Sequence, residues 1–153
     1  MLFRSDEIAL LRVVHVAGAV LLLGNVTITG FWAAFLYRAR KVVPFRLVAR
    51  AILWTDLVFT FVGGMMLVIS GILLMRAKGY QVGTTPWLQQ GIIALILSTG
   101  LWLACLLPDQ WRLDRVDPAD DEALRTLFLR WSVVGWTATA ILFYGLWAMV
   151  SRT

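Results

Sequence analysis

Six ionisable or strongly polar side chains interrupt apolar stretches of this sequence, and these residues could do chemistry: Arg12, His15, Asn25, Asp56, Gln89 and Gln90. Such groups are costly inside a membrane helix, so they mark candidate functional sites. His15 is the only histidine, and a neutral imidazole can bind haem iron or a transition metal. For Asp56 the simplest expectation is a structural ion pair, with Arg130 as its predicted partner.

The surrounding composition is that of a membrane protein. Of 153 residues, 60% are hydrophobic and 15% are charged, and the mean hydropathy is +0.80. A soluble domain is about 45–50% apolar and about 25% charged. This excludes a disordered chain, a coiled coil and an ordinary water-soluble enzyme. The single cysteine, Cys105, excludes an internal disulfide and a multi-cysteine metal site. No familiar catalytic motif is present, so enzymatic activity stays open.

Four segments are long and apolar enough to cross a bilayer core of about 30 Å: residues 8–37, 51–75, 87–107 and 131–150. Helices are expected, because lipid offers no partner to an unpaired backbone amide. The predicted fold is therefore all-α, a four-helix transmembrane bundle with antiparallel up-down topology. Residues 1–153 should form one integral membrane domain.

Helix starts are predicted from the prolines. Pro44 should open the second helix, and Asp117 should cap the last helix, with Pro118 at its first position. Lysine and arginine counts predict the orientation. The first and third loops hold nine basic residues: Arg38, Arg40, Lys41, Arg46, Arg50, Arg112, Arg115, Arg125 and Arg130.

The other side of the membrane has only four or five basic residues, so both termini should lie on the periplasmic side of the inner membrane. The net charge of +5 is then a topology signal. Anionic lipid headgroups are sufficient partners, and nucleic acid is not expected.

The leading functional hypothesis is binding of haem b or a related porphyrin, for electron transfer or haem handling. His15 shares a stripe of the first helix with Gly18 and Asn25, and its predicted depth is in the outer half of the membrane. Residues from other spans should lie at a similar level. The predicted cofactor-binding residues are His15, Gln89, Gln90, Tyr144 and Asn25, with Met149 as a further metal ligand beside His15.

Two other hypotheses remain open. In the first, the protein is a small-solute or ion transporter that uses Asn25 and Asp56. In the second, it is a scaffold or assembly subunit without a ligand. Outward-facing small residues such as Gly24 could then serve a homodimer.

Three stretches resemble an uncharacterised bacterial integral-membrane family, domain of unknown function 2269. They are LLRVVHVAGAVLLLGNVTITGFW, PWLQQGIIALILSTGLWLACLLPDQWRL and LRTLFLRWSVVGWTATAILFYGLWAMV. The resemblance covers nearly the whole chain and implies the fold. The first stretch also resembles CopD-type and HemJ-type membrane proteins, which implies a haem- or porphyrin-related role for His15 alone. HemJ-type proteins also use a lysine within the membrane, and no lysine lies in these spans.

Overall fold

Four long helices make up most of the chain. The computed structural model describes residues 4–117 and 119–152. Within these ranges the helices are α1 (Ser5–Arg38), α2 (Phe45–Lys78), α3 (Pro86–Arg115) and α4 (Asp121–Ser151), and each is long and apolar enough to span a membrane. A three-residue helical turn, Val82–Thr84, lies between α2 and α3, and the described ranges contain no strand. The all-α prediction with four spanning helices is confirmed.

All four helices extend beyond the predicted spans. At 1.5 Å per residue, the 34 residues of α1 reach about 50 Å, whereas a bilayer core needs about 30 Å. The predicted start of α2 agrees with the structure, because Pro44 is its capping residue. Gly79 ends α2 in the left-handed conformation at φ 69°, which a glycine adopts without steric cost.

The predicted cap of the last helix was wrong. Helix α4 begins at Asp121, and the carboxylate of Asp120 accepts a hydrogen bond from the Ala123 backbone N–H at 2.9 Å. Asp117 accepts instead from the Ala119 N–H at 2.9 Å, within the preceding turn. Pro118 lies outside the described residues. Three aspartates occur in this short segment, and only the one next to the helical run can reach its first free amides.

Glycines set the contact between α1 and α2. A Cβ atom on Gly18 would lie 2.9 Å from the Gly63 carbonyl oxygen, and a Cβ on Gly63 would lie 2.9 Å from the Gly18 carbonyl oxygen. The two backbones therefore touch. Along this interface His15 contacts Ser70 and Asn25 contacts Asp56, so residue numbers rise in one helix as they fall in the other. That order of contacts is typical of antiparallel neighbours.

The hydrophobic core lies at one end of the molecule. There the helices are joined by the 39–44 and 116–120 connections, and we call it the loop-side end. The Tyr37 and Phe128 rings stack with centroids 3.9 Å apart, and Phe45 meets both rings edge-on. Arginine side chains form salt bridges at the same end. Arg40 binds both oxygens of Asp121 at 2.7 and 3.0 Å, and this carboxylate raises the pKa of the Arg40 guanidinium. All four helices therefore meet at the loop-side end.

Toward the opposite end the bundle separates into two pairs. In the described chain, no Cα atom of Phe61–Lys78 lies within 8 Å of a Cα atom in Pro86–Leu101 or in α4. Helix α1 stays packed on α2, and α3 stays packed on α4. Many large apolar side chains face outward, among them Val20 (65% exposed) and Ile96 (64% exposed). Such an apolar surface suits lipid rather than water.

Candidate functional site

A cavity of about 230 Å³ lies where the two helix pairs begin to separate. All four helices contribute to its wall, and most of the lining is apolar or aromatic. The lining includes the side chains of Asp56, Thr60, Phe61, Trp102, Gln110, Trp131 and Trp136. A mostly apolar cavity with a few polar groups at one place is the usual form of a small-molecule site.

Among the described residues that line the cavity, Asp56 is the only charged one, and it is 5% exposed. Its Oδ1 atom accepts a hydrogen bond from Asn25 Nδ2 at 2.7 Å, and its Oδ2 atom accepts one from Gln110 Nε2 at 2.5 Å. Asn25 Nδ2 also lies 3.1 Å from the hydroxyl oxygen of Thr60. Helix α1 thus supplies Asn25 to this cluster, α2 supplies Asp56 and Thr60, and α3 supplies Gln110.

The predicted ion pair between Asp56 and Arg130 is not formed, and this corrects the sequence analysis. Arg130 binds both oxygens of Asp109, with Nε at 2.8 Å from Oδ2. Asp109 lies six residues before the loop-side end of α3 and within reach of α4, whereas Asp56 is enclosed by two amides. Within the described residues, no arginine, lysine or histidine nitrogen lies within 4.0 Å of the Asp56 carboxylate.

Both helices that frame the polar cluster depart from α-helical geometry beside it. Helix α2 forms a π-turn at Asp56–Thr60, and α3 forms another at Trp102–Leu106. A π-turn inserts one extra residue into a helix, and such turns are frequent at functional sites. The residues at both ends of each π-turn line the cavity: Asp56 and Thr60 for the first, and Trp102 and Leu106 for the second.

Three buried polar atoms of the lining residues lack a hydrogen-bond partner in the described structure. They are Gln110 Oε1, Trp102 Nε1 and Trp131 Nε1. Buried polar groups are almost always paired, so each such atom needs an explanation. Their concentration around one cavity indicates a polar environment that the protein alone does not satisfy.

His15 lies in the interface between α1 and α2 and does not line the cavity. Its Nδ1 atom is 3.1 Å from the Leu67 carbonyl oxygen and 3.0 Å from the Ser70 hydroxyl oxygen. A carbonyl only accepts, so the tautomer that satisfies the Leu67 carbonyl has its proton on Nδ1 and its lone pair on Nε2. A Cβ on Gly71 would lie 3.2 Å from His15 Cε1, so the ring is held against α2.

The other predicted haem-binding residues occupy different places. Tyr144 donates its hydroxyl proton to Gln90 Oε1 at 3.0 Å between α3 and α4, and Gln89 donates to the Val82 carbonyl at 2.6 Å. Met149 packs against Gly91 in the same α3–α4 interface. No Cα of α1 lies within 8 Å of a Cα in Pro86–Leu101 in the described chain, so His15 is not packed against Gln89 or Gln90. The polar contacts of His15 are made with α2 instead.

The fit of a porphyrin to these surroundings is poor. An apolar cavity of about 150 Å³ holds benzene, so a cavity of about 230 Å³ holds a ligand only slightly larger. A porphyrin is several times the size of benzene. The described residues also contain no group of three His, Cys, Asp or Glu side chains placed to hold a metal ion.

Gln110 is the functional candidate that sequence reasoning missed. It follows Pro108 in a segment that the sequence placed beyond the third span, where a glutamine is unremarkable. In the structure α3 continues to Arg115, and Gln110 is 1% exposed against Asp56. The available signal was helical continuity through Pro108, which a π-turn just before it makes feasible.

Comparison with known proteins gives the family. No curated protein and no solved structure matches the chain significantly. A family model described as "Predicted integral membrane protein (DUF2269)" matches residues 9–153. Together with four helices of spanning length, this match shows that the chain is an integral membrane protein that belongs to the DUF2269 family.

Proposed function

We propose that this protein is a transporter that carries a small cation across the bilayer, either a proton or a cationic solute, with Asp56 as its binding group. The observation that carries the proposal is a buried carboxylate that faces a cavity and has no cationic partner in the described chain. Asn25 and Gln110 position this carboxylate through their amide groups.

The electrostatic argument rests on the cost of burial. An isolated charge in an apolar interior is very unfavourable and must be neutralised by a proton or a counter-ion. Two neutral amides orient the carboxylate and stabilise its charge only in part. A cation taken from the cavity would complete the neutralisation, and its release would restore the charged state.

Gln110 can accommodate both states of Asp56. With Asp56 ionised, Gln110 Nε2 donates to it and Gln110 Oε1 has no partner in the described structure. With Asp56 protonated, a half-turn of the Gln110 amide lets Oε1 accept the carboxyl proton. The unpartnered oxygen therefore supports reversible proton binding at this site.

The test uses purified protein in liposomes that contain a pH-sensitive dye. A potassium diffusion potential, set with valinomycin, drives protons inward. We expect faster internal acidification with the wild-type protein than with empty liposomes, and loss of this flux in Asp56→Asn. Asp114→Asn is the matched control, because Asp114 lies on the loop-side end near Arg50 and does not line the cavity. Equal rates for wild type and Asp56→Asn would contradict proton transport through Asp56.

We further propose that the protein lies in the inner membrane with its two termini on the periplasmic side, as the basic loops predict. The clustering of arginine-rich connections at one end of the molecule supports this orientation. The homodimer through Gly24 stays a prediction. A Cβ on Gly24 would have no atom within 4 Å, so this face is open to a partner helix.

A second candidate is haem b binding through His15. The favouring observation is that Nδ1 is fixed by Leu67 and Ser70, while the described residues give Nε2 no partner. Histidines that bind metals usually donate their other N–H to a carbonyl or carboxylate in this way. A porphyrin would then have to bind outside the 230 Å³ cavity, against a surface of α1 and α2.

An absorption spectrum of the purified protein after haem reconstitution tests this second candidate. A Soret band that is lost in His15→Ala and retained in Gln89→Ala would support it. No band, or a band unchanged in His15→Ala, would end the haem hypothesis and would leave the transport proposal unaffected.

A further inference from the structure

Building on the proposed transport function, we propose that the solute is a small protonated organic amine that enters the cavity sideways from the bilayer. Its ammonium group binds Asp56, and its apolar body of about ten non-hydrogen atoms lies between the aromatic walls. Four features of the site support this solute class: the free acceptors of Asp56, the charge of the lining, the aromatic walls and the side opening.

The acceptors match an ammonium group. Each Asp56 oxygen receives one amide hydrogen bond and has about two lone-pair directions, so each retains one acceptor site. Gln110 Oε1 is a further buried acceptor without a partner in the described chain. An ammonium group has three donors and no acceptor, and therefore complements this set.

The lining favours a cation over an anion. Of the residues that the structure describes, Asp56 is the sole charged one that lines the cavity, and no lysine, arginine or histidine lies among them. A carboxylate or phosphate ligand would meet repulsion from Asp56 with no positive charge to offset it. A neutral ligand would leave the Asp56 charge uncompensated.

Aromatic side chains supply the rest of the binding surface. Phe61 of α2, Trp102 of α3, and Trp131 and Trp136 of α4 all line the cavity. Ring faces attract cations, and they also bury the apolar part of a ligand. Since an apolar cavity of about 150 Å³ holds benzene, about 230 Å³ suits one aromatic ring with a short aminoalkyl chain.

The side opening follows from the separation of the helix pairs. Phe61, Met65 and Val68 line the cavity on α2 and are 58%, 44% and 43% exposed. On α3, Thr99 lines it and is also exposed. Because this surface faces lipid in a membrane, a compound dissolved in the bilayer reaches Asp56 without crossing the loop-side core.

Binding of 2-phenylethylamine to the protein in lipid nanodiscs tests the solute class. Its neutral and anionic counterparts are 2-phenylethanol and 3-phenylpropionate, and empty nanodiscs correct for partitioning into lipid. Calorimetric titration should give an affinity for the amine about tenfold or more above that for the alcohol, because only the amine brings a positive charge to the Asp56 carboxylate. The carboxylate should not bind. Asp56→Asn should reduce the amine affinity to that of the alcohol.

A second variant protects the test against a failure of Asp56→Asn to fold. Gly64 lines the cavity, and a Cβ on it would have no atom within 4 Å, so this position accepts a side chain and Gly64→Leu should narrow the cavity. This variant should lose amine binding. Gly100→Leu is the matched control, because Gly100 is equally open but does not line the cavity, and it should bind as the wild type does.

The outcomes separate the two proposals. Proton flux through Asp56 without preference for the amine would overturn the amine and retain transport. Amine binding that depends on Asp56, without any flux, would retain the solute class and overturn transport. Absence of both would overturn both. Equal binding by wild type and Gly64→Leu would show that the amine binds elsewhere, and would overturn the assignment of this cavity.

Discussion

Gly18 of α1 and Gly63 of α2 lie directly against each other, each within van der Waals reach of the other's carbonyl oxygen. A Cβ added to either would approach that oxygen at 2.9 Å. The contact lies between His15 and Asn25 on α1, so it fixes the distance between the helices for the histidine interface and for the Asp56 cluster alike. Small residues commonly permit this close approach in membrane helices.

We therefore expect Gly18→Ala and Gly63→Ala to destabilise the protein. The added methyl group forces the backbones apart, and overpacking of this kind costs about 1–3 kcal/mol. Thermal unfolding in mild detergent, followed by circular dichroism, measures the effect. Gly24→Ala is the control, because a Cβ there meets open space, and it should not lower the melting temperature. Equal effects at Gly18 and Gly24 would contradict a close helix contact.

Removal of either amide next to Asp56 should also destabilise the fold. Asn25→Leu or Gln110→Leu leaves one carboxylate oxygen without its donor, and an unsatisfied buried charged group costs about 1–3 kcal/mol or more. The same substitutions should cost less in an Asp56→Leu background, and a double-mutant cycle measures that coupling. Gln89→Leu is the control, because the Gln89 amide bonds an exposed loop carbonyl. Additive effects would show that the amides do not act through Asp56.

Two aspartates should respond oppositely to the same change. Asp56→Asn removes a buried charge that has no cationic partner in the described residues, and the half-turned Gln110 amide can then accept from the new side chain. We expect a melting temperature equal to or above that of the wild type, together with lost flux. Asp109→Asn removes the partner of Arg130 and should lower the melting temperature. A lower stability for Asp56→Asn would indicate that the charge stabilises the fold.

The cap of α4 gives a prediction for the loop-side end. Asp120→Ala removes the hydrogen bond to the Ala123 N–H and should cost about 0.5–2 kcal/mol. Asp117→Ala should cost less, because Asp117 bonds only within the preceding turn. Hydrogen exchange of the amides at the start of α4 reports the difference locally. Faster exchange in Asp117→Ala than in Asp120→Ala would show that Asp117 caps the helix, as the sequence analysis predicted.

Local sequence features determined the elements of this protein. Runs of about twenty apolar residues require helices in lipid, because every backbone amide must be satisfied within its own segment. Pro44 likewise marked the start of α2 correctly. The family resemblance, read from the helix sequences, is confirmed over residues 9–153. The polar positions His15, Asn25 and Asp56 were also visible, since polar groups stand out against an apolar background.

The tertiary structure alone decided what these polar groups do. Side-chain partners depend on the rotation and spacing of separate helices, which no local pattern encodes. The Gly18–Gly63 contact and the π-turn at Asp56 place the carboxylate next to Gln110. Arg130 binds Asp109 instead. The same packing turns His15 toward Leu67 and away from the cavity. The apolar runs of the sequence thus determine which residues lie within the membrane. The helix packing determines that Asp56, rather than His15, faces the cavity between the helices.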